Sequence, residues 1–270
     1  SYSLKVNCSY TACYEDTAKV NVANYNVNST IAYKQSYTYK PTAVTGYSNS
    51  GNVSVDWSSV GDKSLSVTYS PIDCTLTVSY TTEVSGYAPS AKSTTVKYGQ
   101  TASISASNVE GHANPGTYSK RMWSSSESAT VNYTANSYTY TVNYVYGTVY
   151  AKTSGSTAHS SLTQTTKFQS SYSINSPTVK GHSARTGNVS GKMPAGGGSS
   201  TVYYDVNRYK LTITYTGTNR NPSSYSGEYY YEQGYDIASP QVPTYERDYA
   251  KISGTMGAGN VNKTVTYSAI

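Results

Sequence analysis

Thr264-Val265-Thr266-Tyr267, near the end of the chain, is one of four versions of the same passage. The others are Ser66-Val67-Thr68-Tyr69, Thr130-Val131-Asn132-Tyr133 and Thr201-Val202-Tyr203-Tyr204. Their tyrosines are separated by 64, 71 and 63 residues. That interval is too long for one turn of a solenoid and suits a small domain. Each passage alternates apolar and polar residues, as a strand with one buried face does.

Working outward, each closing passage has an opening counterpart: Leu4-Lys5-Val6-Asn7-Cys8, Leu76-Thr77-Val78-Ser79-Tyr80, Tyr140-Thr141-Val142-Asn143-Tyr144 and Leu211-Thr212-Ile213-Thr214-Tyr215. Between them the middle of the unit aligns without gaps as Tyr33-Lys-Gln-Ser-Tyr37-Thr-Tyr39, Tyr98-Gly-Gln-Thr-Ala102-Ser-Ile104, Phe168-Gln-Ser-Ser-Tyr172-Ser-Ile174 and Tyr231-Glu-Gln-Gly-Tyr235-Asp-Ile237. Val44, Val109, Val179 and Val242 come next, followed by Gly46-Tyr47, Gly111-His112, Gly181-His182 and Thr244-Tyr245. A further strand then ends on Trp57, Met122, Met193 or Met256.

These matches divide the 270 residues into four units, 1–70, 71–135, 136–205 and 206–270. No segment sustains helical apolar spacing with caps, and the nearest, Ala88 to Lys97, contains Pro89. The expectation is an all-β chain of β-grasp-like units with four or five short strands each and little or no helix. Short connections at Ser70 to Asp73, Ala135 to Ser137 and Asp205 to Asn207 suggest touching neighbours and an elongated, monomeric rod.

A residue that recurs at one slot is first a packing residue. His112 and His182 occupy the slot of Tyr47 and Tyr245, so they read as core aromatics rather than as ligands or bases. Trp57 shares its slot with three methionines and reads as core, whereas Trp123 falls outside the slot and reads as exposed. His159 has no acidic or cysteine neighbour. The thirty-two tyrosines against one phenylalanine read mainly as thin cores whose hydroxyls reach water or a partner.

The copies differ most between opening and middle strands, over Thr148 to Thr165 and Thr216 to Glu228. Such variable stretches are expected to be loops, where binding specific to one copy would sit. The aromatics outside the shared slots, Trp123, Tyr146, Tyr150, Tyr225, Tyr229 and Tyr230, are therefore the candidate binding residues, suited to stacking on sugar rings.

Several classes are excluded. Fourteen carboxylates spread over four units supply no convergent acid–base pair, and the close acidic groups, Glu15-Asp16 and Glu246-Arg247-Asp248, read as solvated loops, so no enzyme is expected. There is no phosphate loop, nucleophile elbow, zinc spacing or cofactor motif. The net charge of +6 is scattered singly rather than gathered in a basic arm, so no nucleic-acid partner is expected. No apolar run approaches the ~20 residues of a membrane span. Cys8 and Cys13 are close enough in sequence for a disulfide across a hairpin loop; Cys74 is an alternative partner for either, or stays a thiol. The chain starts and stops on repeated strands without a secretion or sorting signal, which reads as a segment of something longer.

The order of parts resembles the mucin-binding-protein (MucBP-like) repeats of bacterial surface proteins and, more distantly, the listerial internalin B-repeats. The fourth copy carries the resemblance best, in Gln233-Gly234-Tyr235-Asp236-Ile237, Gly254-Thr255-Met256 and Thr264-Val265-Thr266-Tyr267. It implies small β-grasp-like domains in tandem on an extracellular, cell-surface or cell-wall-attached protein. Two roles follow: a stalk or spacer in adhesion, or direct binding of host mucin or glycans through the exposed tyrosines and Trp123. Clustering of those aromatics on one exposed face would favour binding; packing at junctions would favour the stalk.

Overall fold

The structure, a computed structural model, describes residues 2–12, 14, 25–27 and 34–270. Cys13, Glu15, Asp16 and Tyr33 lie outside the described residues, and with Cys13 the expected Cys8–Cys13 bridge. The chain divides into two compact units, Ser1–Ala135 and Asn136–Ile270. Among the described residues every regular element is a β-strand.

Opening and closing passages lie side by side as parallel pairs. Leu4–Tyr10 pairs with Lys63–Pro71, Asp73–Thr82 with Ser126–Tyr133, Ser137–Tyr146 with Gly198–Val206, and Arg208–Thr216 with Val261–Ala269. An antiparallel strand flanks each opening strand: Tyr25–Val27, Lys92–Lys97, Thr157–Lys167 or Tyr225–Tyr230. Tyr47–Asn49, His182–Ala184 and Tyr245–Arg247 flank three of the closing strands, and a single bridge from His112 to Ala135 stands in the second copy. Parallel neighbours need a long crossover. Here the crossover carries its own two-stranded antiparallel ladder: Ser36–Tyr39 with Val53–Asp56, Thr101–Ser105 with Thr117–Arg121, Ser171–Asn175 with Asn188–Lys192, and Gly234–Ala238 with Lys251–Thr255.

The copies therefore hold six, five, six and six described strands, the second within the expected four or five and the other three one above it. The variable stretches are also paired in part. Thr157–Lys167 and Tyr225–Tyr230 are edge strands, not loops. Threonine-rich sequence extends readily, and an edge strand with wet side chains needs no sustained apolar alternation to reveal it.

Apolar side chains from both layers meet between them. Leu4, Val6, Val67 and Trp57 are buried in the first copy, with Leu76, Val78 and Met122, then Val142 and Met193, then Leu211, Ile213, Met256 and Val265 at corresponding places in the others. The ladder is set by one reciprocal backbone pattern. Lys34, Gly99, Gln169 and Glu232 donate to the carbonyls of Trp57, Met122, Met193 and Met256, whose own N–H groups return to Gln35, Gln100, Ser170 and Gln233. All four donors have positive φ, between 59° and 82°, although only one is glycine.

The closing tyrosines are the deepest shared element. Tyr69, Tyr133, Tyr204 and Tyr267 are no more than 2% exposed. Their hydroxyls donate to the carbonyls of Thr42 (2.8 Å), Ser107 (2.7 Å), Pro177 and Pro240 (2.6 Å). Each acceptor stands two residues before the Val44, Val109, Val179 or Val242 anchor. The ring fills the core while the hydroxyl satisfies a carbonyl of the connecting segment. These hydroxyls have one fixed backbone partner, which sharpens the reading of tyrosine as thin-core filler.

Candidate functional site

The anchor valines open a tight turn. Val44, Val109, Val179 and Val242 accept from the N–H three residues on, at 3.1–3.2 Å, and the third position is left-handed in every copy: Gly46, Gly111, Gly181 and Thr244. The aromatic that follows faces inward. Tyr47, His112 and His182 are 7%, 6% and 8% exposed, which places both histidines in the aromatic slot as the alignment implied. Nδ1 of His112 lies 2.7 Å from the Glu110 carbonyl, and Nδ1 of His182 lies 2.9 Å from that of Lys180. A carbonyl only accepts, so Nδ1 carries the proton in both.

Aromatics from two successive copies then join at this turn. In the first compact unit Tyr10 meets Tyr47 at 5.0 Å, Tyr47 meets Tyr98 at 6.0 Å, and Tyr98 meets Trp123 at 5.5 Å. In the second compact unit Tyr146 meets His182 at 4.8 Å and His182 meets Tyr231 at 5.8 Å. Tyr146 is thus the counterpart of Tyr10, packed at a junction. Its slot was hidden because the other two copies carry Thr82 and Gly217 there.

The remaining candidates fall into separate groups. Trp123 is 47% exposed, with its edge on Tyr98 and the Arg121 guanidinium 5.1 Å from its ring. Arg121 is itself tied to the carbonyls of Gly99 and Tyr14. Tyr225 and Tyr229, two strand repeats apart on one face, pack against the fourth copy's core and share a 2.5 Å hydroxyl–hydroxyl bond. That bond and burial push the Tyr229 hydroxyl up to about 12. Tyr230 points to the opposite face of the strand. There Tyr150, 47% exposed, stacks on it at 5.8 Å with planes 19° apart. Arg208 lies 4.4 Å from the Tyr230 ring and donates to its hydroxyl at 2.6 Å. Lys152 reaches Glu232 beside this stack at 3.4 Å.

Sequence reasoning placed Tyr150 and Tyr230 among the candidates but missed Arg208, which the edge-strand pairing sets opposite Tyr230, and the Lys152–Glu232 ion pair beside the stack. His159 also gains a place, its ring edge-on to Tyr144 at 5.9 Å. A neighbouring polar group is closed on itself. Arg185 binds both oxygens of Asp205 at 2.8 and 2.9 Å, holding that carboxyl well below the usual carboxylate range, and Asp205 also accepts the Thr148 N–H. In the fourth copy the Asp248 carboxylate accepts the Thr266 N–H, which accounts for one member of the Glu246–Asp248 pair. The Cys74 thiol is buried against the Ile72 carbonyl.

Among the described residues no three His, Cys, Asp or Glu side chains converge as a metal site would require, and no helix is long and apolar enough to cross a membrane. A cavity of about 700 Å³ is bordered by Val242, Pro243, Thr244, Tyr245, Arg247 and Ile270.

No protein-family model matches the chain, and no curated protein matches its sequence. Among solved structures it is similar to the Bacillus anthracis TIE protein, at 7% identity and a TM-score of 0.45 over 80% of this chain. The chain spans about half of that protein, 54% of its length. It is also similar to Mub-RV, at 12% identity and a TM-score of 0.15, and to a type 2 repeat of the mucus binding protein MUB from Lactobacillus reuteri, at 12% and 0.17. Both of these alignments take in 73% of this chain, with 99% and 100% of the respective structures.

Proposed function

We propose that this chain is a non-enzymatic spacer in a bacterial surface protein: four tandem β-units, 1–70, 71–135, 136–205 and 206–270, that hold an adhesive part away from the cell surface or wall. The observation that carries this reading is the way successive copies are joined. A single residue, Ile72 or Asn207, separates the closing strand of one copy from the opening strand of the next. Each is hydrogen-bonded on both sides. Ile72 donates to Gly46 and accepts from Tyr98, and Asn207 donates to Gly181 and accepts from Tyr231, all at 2.9–3.0 Å. A joint with both backbone groups satisfied and a ring packed over it resists bending far better than a free linker.

The placement of the aromatics supports the same role. Tyr146 and the Tyr98 edge of Trp123 belong to junctions, and Tyr225 and Tyr229 belong to a core, so one shared binding face is not assembled from the six candidates. Pairs of spin labels on strands either side of Asn207 test the reading. A narrow distance distribution is expected, and a broad one spanning tens of ångströms would remove the basis for a spacer.

A second reading, a weak mucin- or glycan-binding module, is favoured by one feature, the stack of the exposed Tyr150 on the half-buried Tyr230 with Arg208 beside it. Sugars stack on such faces while cations meet their acidic substituents. Retention on immobilised mucin that disappears in a Tyr150→Ala, Tyr230→Ala double variant would establish it.

A further inference from the structure

Two glycines stand where a side chain has no room. A Cβ on Gly46 would lie 2.3 Å from the Tyr98 ring, and one on Gly181 would lie 2.2 Å from the Tyr231 ring. Both glycines are left-handed, with φ of 79° and 71°. In each case the seated ring comes from the next copy of the repeat, and its own N–H bonds to the junction residue, Ile72 or Asn207. Ring position and backbone pairing are therefore fixed together: the ring cannot retreat without pulling its amide away from the junction.

The fourth copy keeps most of this arrangement. Thr244 has the same left-handed backbone, with φ of 66°, and its carbonyl accepts the Ile270 N–H at 3.0 Å, as Gly46 accepts Ile72 and Gly181 accepts Asn207. The difference is the side chain. Thr244 places a branched Cβ where the other two turns receive an aromatic ring, and it does so at the rim of an open cavity of about 700 Å³. Ordinary carbon contacts need about 3.5 Å or more. A ring seated as in the other two joints would overlap the threonine by over an ångström.

We infer that the turn after each anchor valine is a socket for a β-unit led by an aromatic residue, that glycine at its third position admits the ring, and that Thr244 closes the fourth socket to a unit of this kind. The inference rests on the tandem division proposed above. It makes residue 244 a determinant of which partner this surface accepts.

The test places the fourth copy's side chain in a joint that can be observed. In the full chain, Gly181→Thr is expected to lower hydrogen-exchange protection of the Asn207 and Tyr231 amides by about tenfold or more, while amides of the Ser137–Tyr146 and Gly198–Val206 ladder stay protected. Gly46→Thr is expected to do the same at Ile72 and Tyr98. Unchanged protection at the junction would overturn the inference. If Gly181→Thr also loosens the ladder, Tyr231→Ala decides, because it removes the ring and leaves the turn intact: junction protection should fall with the ladder unaffected, and its persistence would again overturn the inference. These amides report docking whether or not the chain binds mucin, so failure here and failure of the spacer reading are distinguishable.

Discussion

The hydroxyl of Tyr133 donates to the carbonyl oxygen of Ser107 at 2.7 Å, from a ring that is wholly buried. The bond ties the closing strand to the segment leading into the Val109 turn. Tyr133→Phe keeps the ring and strands the carbonyl without its partner, a loss of about 1–3 kcal/mol. Tyr203→Phe, at a 42% exposed position, is expected to stay within about 0.5 kcal/mol. Urea unfolding of the two variants separates them.

The same hydroxyls give the fold an alkaline limit. Burial raises the Tyr133, Tyr204 and Tyr267 hydroxyls above their ordinary value, and the Tyr225 bond with burial raises Tyr229 to about 12. In the unfolded chain tyrosine ionises near pH 10, roughly. A pKa raised by folding means the native state holds its proton longer. Stability is accordingly full below the unfolded pKa and is lost as pH climbs through the folded values. Denaturation midpoints between neutral pH and pH 11 should be flat at first and then fall; a midpoint that rises in the alkaline range would contradict this.

Thr244 is a β-branched residue held at a φ of 66°. Left-handed backbone costs a side-chain-bearing residue roughly 1–2 kcal/mol, and glycine gives back part of that through the freedom it adds to the unfolded chain. Thr244→Gly should therefore stabilise the chain by about 0.5–1 kcal/mol, read as a higher denaturation midpoint at unchanged slope.

His182 occupies an aromatic slot, so His182→Tyr should cost less than about 1 kcal/mol, because Tyr47 meets Tyr10 at 5.0 Å much as His182 meets Tyr146 at 4.8 Å. His182→Ala, which empties the slot, should cost about 2 kcal/mol or more. Equal losses in the two variants would mean that the imidazole itself is needed.

Alignment of the copies against one another made the all-β fold, the strand at each middle passage, the buried Trp57 and the histidine slots legible, because packing repeats where sequence repeats. Three things were not legible. Thr157–Lys167 is an edge strand with mostly wet side chains, so it lacks the apolar alternation that marks a strand. The tyrosine latch has a backbone acceptor whose residue changes from Thr42 to Ser107, Pro177 and Pro240, so its side chains carry no signal. Tyr150 meets Tyr230 only through a contact between successive copies, and Arg208 meets it only across the strand pair within the fourth copy, neither of which spacing along the chain encodes.

The spacer role is tested most directly by passing the full chain over immobilised mucin and measuring retention against a Tyr150→Ala, Tyr230→Ala variant. A spacer predicts no saturable retention for either protein. Saturable retention of the unmodified chain, lost in the variant, would contradict that role and make the Tyr150–Tyr230–Arg208 stack a binding site.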